Sequence, residues 1–561
     1  MPNILNVERQ VPLMFRAQVE RRSQLQRLDP KRNQQQEPQD AEIWVDQWVE
    51  RVDQTGPQFG DGVETRTYQV NWRFVTNGGQ DDGIIRPVIG AGGWPFYPGS
   101  SMKGLFRSAC TREQAERYCG RPLPGNDFAP GLLRFHGAYP TDEHWTERLL
   151  DLVHPQQKRQ VGLDDRASSA FAMVSLYRPE LRFGISSSKP LAADEWDTIW
   201  SIWEKALGKG IGSRVCAGYG QVQGIEGDRL WKGKLRGEGQ AAKLLDGSGE
   251  FRPNSFRAAI RGHALRIFGG LTDADSAQRA VNELFGSVEG RGDVGLLAMA
   301  FTPTRDVVIG SFGAGRWKQP TYEVTGEFEW LLTQPLEEES RKTIKLLITR
   351  LTRFALLLGG IGKSWRRADH RLFFEDYYGD GRSNKPLIGC HWQWQETSIR
   401  SDAIVRAPGH VERFIGSVRE SAQEWLQRRK LLKGTPAQWR EAWNPSKVQV
   451  WGRIARDERD SLVVDWLHGN YATGKAIYKT SVAGQLGKIG RIWHRMYPLT
   501  KLRPDPNNAD EKVAVLTPSY LELLTIFPDS SRECQDFLQF LRSQAPNDTR
   551  DNSALSKLWG G

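Results

Sequence analysis

Trp94-Pro-Phe-Tyr-Pro-Gly-Ser-Ser-Met-Lys-Gly-Leu-Phe-Arg-Ser108 is the stretch from which the rest of the chain is best read. A Pro-Gly pair ends an extended run. Ser100 and Ser101 then open a helix on which Lys103 and Arg107, four apart, share one face. The first turn of a helix offers N–H groups without partners and the positive end of the peptide dipole. With two hydroxyls and a Lys/Arg face added, the segment suits a polyphosphate backbone. A capped surface helix with a solvated basic face would use the same residues.

Composition narrows the class of partner. A chain of 561 residues with 39% hydrophobic residues and 21 Trp can bury real cores, on the order of three domains by length. Its net charge is +10 and its pI about 9.3, a balance that favours a polyanion. No apolar run approaches a membrane span, and no signal-peptide core opens the chain. Membrane partners are therefore not expected. Cys110, Cys119, Cys216, Cys390 and Cys534 form neither a disulfide framework nor a CxxC pair, which points to a reducing cytoplasm without structural zinc.

The stations of one segment recur in another. Tyr97-Pro-Gly through Arg107 is echoed by Arg252-Pro-Asn-Ser-Phe-Arg-Ala-Ala-Ile-Arg261, an offset of 253 − 98 = 155 on the prolines. Arg117-Tyr-Cys-Gly120 is echoed by Glu283-Leu-Phe-Gly286, offset 286 − 120 = 166, and Gly131-Leu-Leu by Gly295-Leu-Leu, offset 295 − 131 = 164. Gly210-Ile-Gly212 is echoed by Gly360-Ile-Gly362, offset 360 − 210 = 150. Four pairs in the same order read as a tandem duplication. The expected organisation is an N-terminal arm over 1–63, a first module over 64–226, a second over 227–395, and a partly helical extension or insertion over 396–561 that matches no other part of the chain. Within a module the order runs strand, glycine-rich loop, basic helix, short strands, second helix, glycine turn, strand. Thr67–Val75 alternates as a strand, Leu105–Ala115 and Asp194–Leu207 read as helices, and Trp196, Trp200 and Trp203 as core. The fold class expected is α+β, with tandem ferredoxin-like (RRM-like) modules carrying loop or hairpin insertions.

Chemistry has few places to sit. Gly210-Ile-Gly212-Ser-Arg214 and Gly359-Gly360-Ile-Gly362-Lys363-Ser-Trp-Arg366-Arg367 place glycine amides beside fixed cations, a pattern that admits phosphate, although a helix-ending turn has the same glycines. The second is not an ATP-binding P-loop: that motif needs glycine at 357, where Leu stands, and Leu347–Leu358 before it reads as a helix. Asn254, Arg257 and Arg261 repeat the basic helix start. The loop Thr76-Asn-Gly-Gly-Gln-Asp-Asp-Gly-Ile-Ile-Arg86 sets Asp81 and Asp82 where they would repel phosphate. They fit a catalytic loop that binds a metal or orients a ribose 2′-hydroxyl, or else a solvated turn. Asp246 is the counterpart candidate in the second module, although position 251, five beyond it, is Phe rather than Arg. His370 and His494 sit among arginines and aromatics; neither is assigned a catalytic role. In the last stretch Lys488, Arg491, His494 and Arg495 flank Trp493 and Tyr497, suited to single-stranded RNA or to a structural cluster.

Tyr97-Pro-Gly-Ser-Ser-Met-Lys-Gly-Leu-Phe-Arg107 resembles the IPGSSLKGxLR signature of the RAMP superfamily, the RNA-binding proteins of CRISPR systems. RNA-cleaving backbone RAMPs of type III complexes carry an Asp five residues before an Arg in a D-x-x-V-V-R-like loop, and counting back from Arg86 reaches Asp81; the Asp that often follows that Arg is here Pro87. Val161-Gly-Leu-Asp-Asp-Arg-Ala167 resembles a further family segment. The resemblance covers roughly 64–395. It implies a III-D-like type III CRISPR backbone subunit with two fused modules, binding guide RNA and cleaving complementary target RNA through a loop aspartate with Mg²⁺ or Mn²⁺. Its implied partners are other type III subunits, including the large polymerase-like subunit and further backbone RAMP proteins. Under this reading Asp81 is the metal or 2′-hydroxyl residue, with Asp82 and Asp246 as alternatives. Ser100, Ser101, Lys103, Arg107, Gly210, Gly212, Arg214, Asn254, Arg257, Arg261, Gly360, Gly362, Lys363, Arg366 and Arg367 contact RNA. A non-catalytic guide-RNA-binding subunit and a guide-processing RAMP endonuclease are the competing readings.

Overall fold

In a computed structural model of the chain, residues 40–76, 78, 80–81, 84–153, 161, 171–244, 246–287, 294–315, 318–374, 387–395, 405, 407–485, 488–505, 508–544 and 554–561 are described. Helices and antiparallel sheets build an α+β protein. No described helix is long and apolar enough to cross a membrane.

The N-terminal elements are α1 (Asp40–Val49), β1 (Glu64–Gln69), α2 (Gly99–Ala109), α3 (Arg112–Cys119), β2 (Leu133–Pro140), β3 (Glu180–Ser187) and α4 (Ala193–Leu207). The sheet runs β1-β3-β2, all antiparallel. Along the other edge of β1, Val222 bridges Val70, and Gln223 N donates to Gln69 O (2.8 Å). The sequence suggests one helix across Leu105–Ala115; instead α2 stops and α3 starts afresh. Thr111 is the reason: its Oγ1 accepts from Gln114 N (3.2 Å) and its N donates to Gln114 Oε1 (2.9 Å), a reciprocal cap. Trp44 and Trp48 of α1, inside the stretch read as an arm, pack in the same core as Tyr97, Phe106 and Trp203.

Next come β4 (Arg229–Gln240), α5 (Asn254–Gly269), α6 (Ala274–Phe285), β5 (Leu297–Pro303), β6 (Gln319–Leu332), α7 (Glu338–Leu357) and β7 (His391–Trp394). They form an antiparallel sheet ordered β7-β4-β6-β5. The echoed motifs occupy equivalent places: α2 and α5 each follow the first strand of their sheet, and the glycine turns each follow the last long helix.

The stretch without an internal match folds into a sheet as well. After α8 (Gly409–Arg428) it gives β8 (Gln449–Ala455), α9 (Leu462–His468), β9 (Ile492–Asp505), β10 (Asn508–Ile526), α10 (Arg532–Gln544) and β11 (Ser556–Gly560). Its order is β11-β8-β10-β9, again antiparallel. In the second and third sheets the first strand lies between the third and the last, and the second lies beyond the third; the three strands of the first sheet share the first-third-second order, and the isolated Val70–Val222 bridge lies on the other side of β1.

Charged seams join these parts. Arg73, fully buried, bonds Glu250 through Nε (2.8 Å) and Nη2 (2.5 Å). In the opposite sense Arg252 pairs with Asp151 at 2.6 Å, and Tyr219 OH donates to the same carboxylate (2.5 Å). Between the second and third sheets, Glu441 holds Arg266 (2.6 Å), Arg366 (2.5 Å) and Arg440 (3.0 Å). Burial alone would raise its pKa; the three guanidinia keep it below the usual carboxylate value. Trp365, Trp443 and Trp493 surround this seam, with Arg266 over the rings of Trp365 (5.2 Å) and Trp493 (5.5 Å).

Candidate nucleic-acid interface

Pro98 holds the extended conformation that precedes α2, and its ring suits a helix start. Met102, Phe106 and Ala109, at i, i+4 and i+7, are buried, so Ser100, Ser101 and Arg107 are left exposed and Lys103 half-buried on the outer side. Gly99 is required by packing. A Cβ there would lie 2.0 Å from Phe135 O, so the helix start rests directly on the backbone of β2.

Other cations gather around this helix. Arg107 Nη1 donates to Gly120 O (3.4 Å), where a hairpin of Gly120–Pro122 and Phe128–Pro130 begins. Lys103 Nζ lies 6.0 Å from the centre of the Phe128 ring, and Phe128 is 52% exposed. Arg121 of the same hairpin is exposed. From the turn after α4, Lys209 Nζ donates to Ser108 O (2.9 Å) and Oγ (3.0 Å). Burial, together with Lys205, lowers the Lys209 pKa. The basic helix and the first glycine turn are thus adjacent. An exposed ring beside Lys and Arg suits base stacking next to phosphate contacts. Phe128, Arg121 and Lys209 were not picked out from sequence; the hairpin's Gly-Arg-Pro and Phe-Ala-Pro pieces carry no motif.

The glycine turn itself is packed at Gly210 and Ile211 and exposed at Gly212. Gly210 and Gly212 have φ of +80° and +75°, and a Cβ on Gly212 would lie 2.3 Å from Val75 O. Gly210 N bonds Leu207 O (2.8 Å), Ile211 N bonds Gly220 O (2.9 Å) and Ser213 N bonds Val75 O (2.9 Å). Those three amides serve the fold, so the expectation of a naked amide does not hold at Gly210, while Gly212 is exposed. Side-chain charge flanks the turn: Lys209 on one side and the half-buried Arg214 on the other. Ser213 also places the turn beside Thr76, where the aspartate loop starts. That loop is a hairpin in which Gln80 faces Ile85 and Asp81 faces Ile84, with Gly78 N bonded to Arg86 O (2.7 Å). The Asp81 side chain and Asp82 lie outside the described residues, as does nearly all of the segment 161–167.

In the second repeat the predicted residues divide. Arg257 Nη2 donates to Phe285 O, and Arg261 Nη2 to Asn282 Oδ1 (3.1 Å). Burial pushes the Arg257 pKa down to about 10, and Arg261 and Arg214 add to it, so the first glycine turn and α5 bring three guanidinia together. Asn254 Nδ2 reaches Tyr219 OH (3.4 Å) at the seam. Lys363 Nζ donates to Ala241 O (3.1 Å); burial, with Arg252 and Lys243 nearby, lowers its pKa.

The second glycine turn corrects the sequence reading more sharply. Gly360 has φ +154°, and the Arg495 guanidinium from β9 occupies the space beside it, its Nε bonded to Gly359 O. Gly362, at φ +102°, lies under Tyr322. Arg366 is committed to Glu441, and Arg367 donates to Ile492 O and Ala483 O (both 2.6 Å). The third sheet therefore covers the place that the sequence offered to phosphate, and Arg366 and Arg367 point inward. His494 is likewise interior, 3.3 Å from Ser461 Oγ and 3.4 Å from Glu522.

Asp246 sits exposed in the short hairpin before α5, where its Oδ1 accepts from Ser248 N (2.9 Å) and Oγ (2.7 Å). That is an Asx turn. Among the described residues, which exclude the Asp81 side chain and Asp82, no three His, Cys, Asp or Glu groups gather as a cation site.

No family model and no curated protein matches the chain. Among solved structures, a type III-B Cmr-beta complex bound to cognate target RNA matches at 20% identity and TM-score 0.23, over 28% of this chain and 57% of that one. A type IV-B CRISPR complex matches at 18% and 0.22, over 28% of this chain and 87% of that one. Cmr1 from Pyrococcus furiosus matches at 12% and 0.30, over 59% of this chain and 99% of that one. This chain spans little more than half the length of the first of these. All three TM-scores fall below 0.5, so none defines a common fold with this chain.

Proposed function

We propose that the protein is an RNA-binding subunit of a CRISPR ribonucleoprotein of the RAMP kind, holding guide RNA along the outer face of α2. The observation that carries this reading is the joining of the Tyr97–Arg107 signature, Lys209 and the exposed Phe128 hairpin into one cationic and aromatic surface. The strand orders β7-β4-β6-β5 and β11-β8-β10-β9 agree with the ferredoxin-like plan, and the first sheet agrees if Val222–Gln223 stands for its last strand. Repetition of that plan favours an assembly part that lines up along RNA.

Phosphate contacts hold the guide largely independently of sequence, and base pairing selects the target. Target RNA and further type III subunits are the partners this reading requires. Cleavage of target RNA at the Asp81–Asp82 hairpin is the second element of the reading. It is favoured by the Ser213–Val75 bond, which sets the first glycine turn beside the strand that leads into that loop.

The test is fluorescence anisotropy of labelled single-stranded RNA against salt, for the wild type and for Lys103→Ala/Arg107→Ala. Salt-dependent binding that weakens in the double variant is expected. Binding that is absent, or indifferent to both residues, would overturn the proposal.

A further inference from the structure

Arg495, on β9, is a buried charge with no opposite charge beside it. It is 7% exposed. Its Nε bonds Gly359 O and its Nη1 bonds Arg367 O (2.8 Å), both backbone carbonyls. Among the described residues Nη2 has no hydrogen-bond partner, and no carboxylate forms an ion pair with the guanidinium. Arg367, next to it, is likewise committed to carbonyls, those of Ile492 and Ala483. Other arginines of this junction have carboxylates: Arg266 and Arg366 meet Glu441, and Arg371 meets Asp369 (2.5 Å). Burial lowers the pKa of Arg495; it also brings that of Arg367 down to about 10, with Arg495 adding to the shift. A guanidinium taken out of water needs a counter-charge or a full set of hydrogen bonds to offset the lost hydration, and Arg495 has neither.

A cavity of about 20 Å³ adjoins this guanidinium. Gly360, Cys390, Trp392, Arg495 and Met496 belong to its wall, and no residue lining it carries a carboxylate. Gly360 is what lets Nη2 come so close to the turn, since a Cβ there would collide with it. Burial raises the pKa of Cys390, so its sulfur stays protonated, a weak donor rather than a counter-charge. The space takes one centre the size of a water molecule and excludes phosphate and sulfate. We propose that Arg495 Nη2, with the Cys390 thiol beside it, binds a single-atom anion of the halide class, chloride being the ordinary one. The anion supplies the charge that Arg495 lacks, and it does so where β9 of the third sheet meets the glycine turn that follows α7. The site is separate from the RNA surface on α2, because a nucleotide phosphate does not fit it.

The test is the thermal midpoint of the full chain, without RNA, as sodium chloride replaces sodium gluconate at constant ionic strength. Constant ionic strength holds screening fixed, and gluconate is too large for the cavity. The midpoint should rise with chloride and level off, as binding to one site on the folded state requires, and bromide should act as chloride does. In Arg495→Met the rise should be lost. A midpoint indifferent to chloride, one that climbs without levelling, or a saturable rise kept in Arg495→Met would overturn the proposal. Because that variant also loses two bonds to backbone carbonyls, bromide anomalous scattering from crystals of the wild type gives a second measurement. A bromide peak in contact with Nη2 is expected, and a cavity without one would overturn the site.

Discussion

Arg73 and Glu250 face each other across the joint between the first two sheets, bonded twice, at 2.8 and 2.5 Å, with both side chains almost without exposure. Trp72 Nε1 donates to the same carboxylate (3.2 Å), and Arg73 also reaches Ser175 Oγ (2.7 Å). Removing one member leaves the other charged and dry. Glu250→Ala should cost about 3–5 kcal/mol, seen as a lowered thermal midpoint. Arg73→Met combined with Glu250→Leu should lose far less than the sum of the single changes. Additive losses would mean that the pair is not a closed unit.

Salt dependence separates cations that meet RNA from cations that hold the fold. Lys103→Ala/Arg107→Ala should flatten the slope of log affinity against log salt by about 1.4, from roughly 0.7 for each single-strand phosphate no longer neutralised. Arg367→Ala removes two bonds to backbone carbonyls of the third unit, at Ile492 and Ala483. It should lower the unfolding midpoint and leave the slope unchanged. A flattened slope in Arg367→Ala would return that residue to the RNA surface.

The two aspartate loops should part company in a cleavage assay. With guide, partner subunits, Mg²⁺ and labelled complementary RNA, the wild type is expected to give discrete, evenly spaced cuts. Asp81→Ala should lose one band while RNA binding is retained. Asp246→Ala should keep every band, because that carboxylate closes an Asx turn on Ser248. An unchanged pattern in Asp81→Ala would move the chemistry to Asp82 or to another subunit.

What could be read from sequence was whatever repeated or carried local chemistry. The start of α2 at Pro98-Gly99, the helix Ala193–Leu207 with Trp200 and Trp203 inside, and the glycine turn at 210–212 are set by turn residues and helical spacing close at hand. The third sheet was not legible. Its order depends on long-range pairing of β8 with both β10 and β11, and no motif recurs in it. Nor could sequence tell that Arg366 and Arg367 turn inward, since a cluster of arginines looks the same whether it meets phosphate or a neighbour's carbonyls.

Acid should destabilise the protein well before ordinary carboxylates titrate. Burial drives the pKa of His263 and His494 below its usual value, and that of His370 down to about 3. His370 is therefore neutral when folded and takes up a proton on unfolding once pH falls below the usual 6.5, and burial biases His263 and His494 the same way. The unfolded state then binds more protons, so stability falls with falling pH. From pH 7 to 5 His370 should cost about 2 kcal/mol, with losses of the same sign from His263 and His494. Glu441 and Glu522, held below their usual value of 4.5, add a further loss in the same direction at lower pH. Urea midpoints at the two pH values check this, and His370→Gln should reduce the difference. Equal midpoints would mean that these histidines carry protons in the fold.

Gly99 has a consequence for how such a signature is recognised. Its hydrogen in place of a methyl is dictated by Phe135 O and the backbone of β2. The glycine therefore testifies to architecture, and only Lys103 and Arg107 testify to what the surface holds. At the corresponding place in the second repeat stands Asn254, whose amide reaches Tyr219 across the joint. One position in two copies of a motif thus marks a helix resting on its own sheet in one case and a helix tied to its neighbour in the other, so a search that scores the letter alone would treat a difference in assembly as a loss of function.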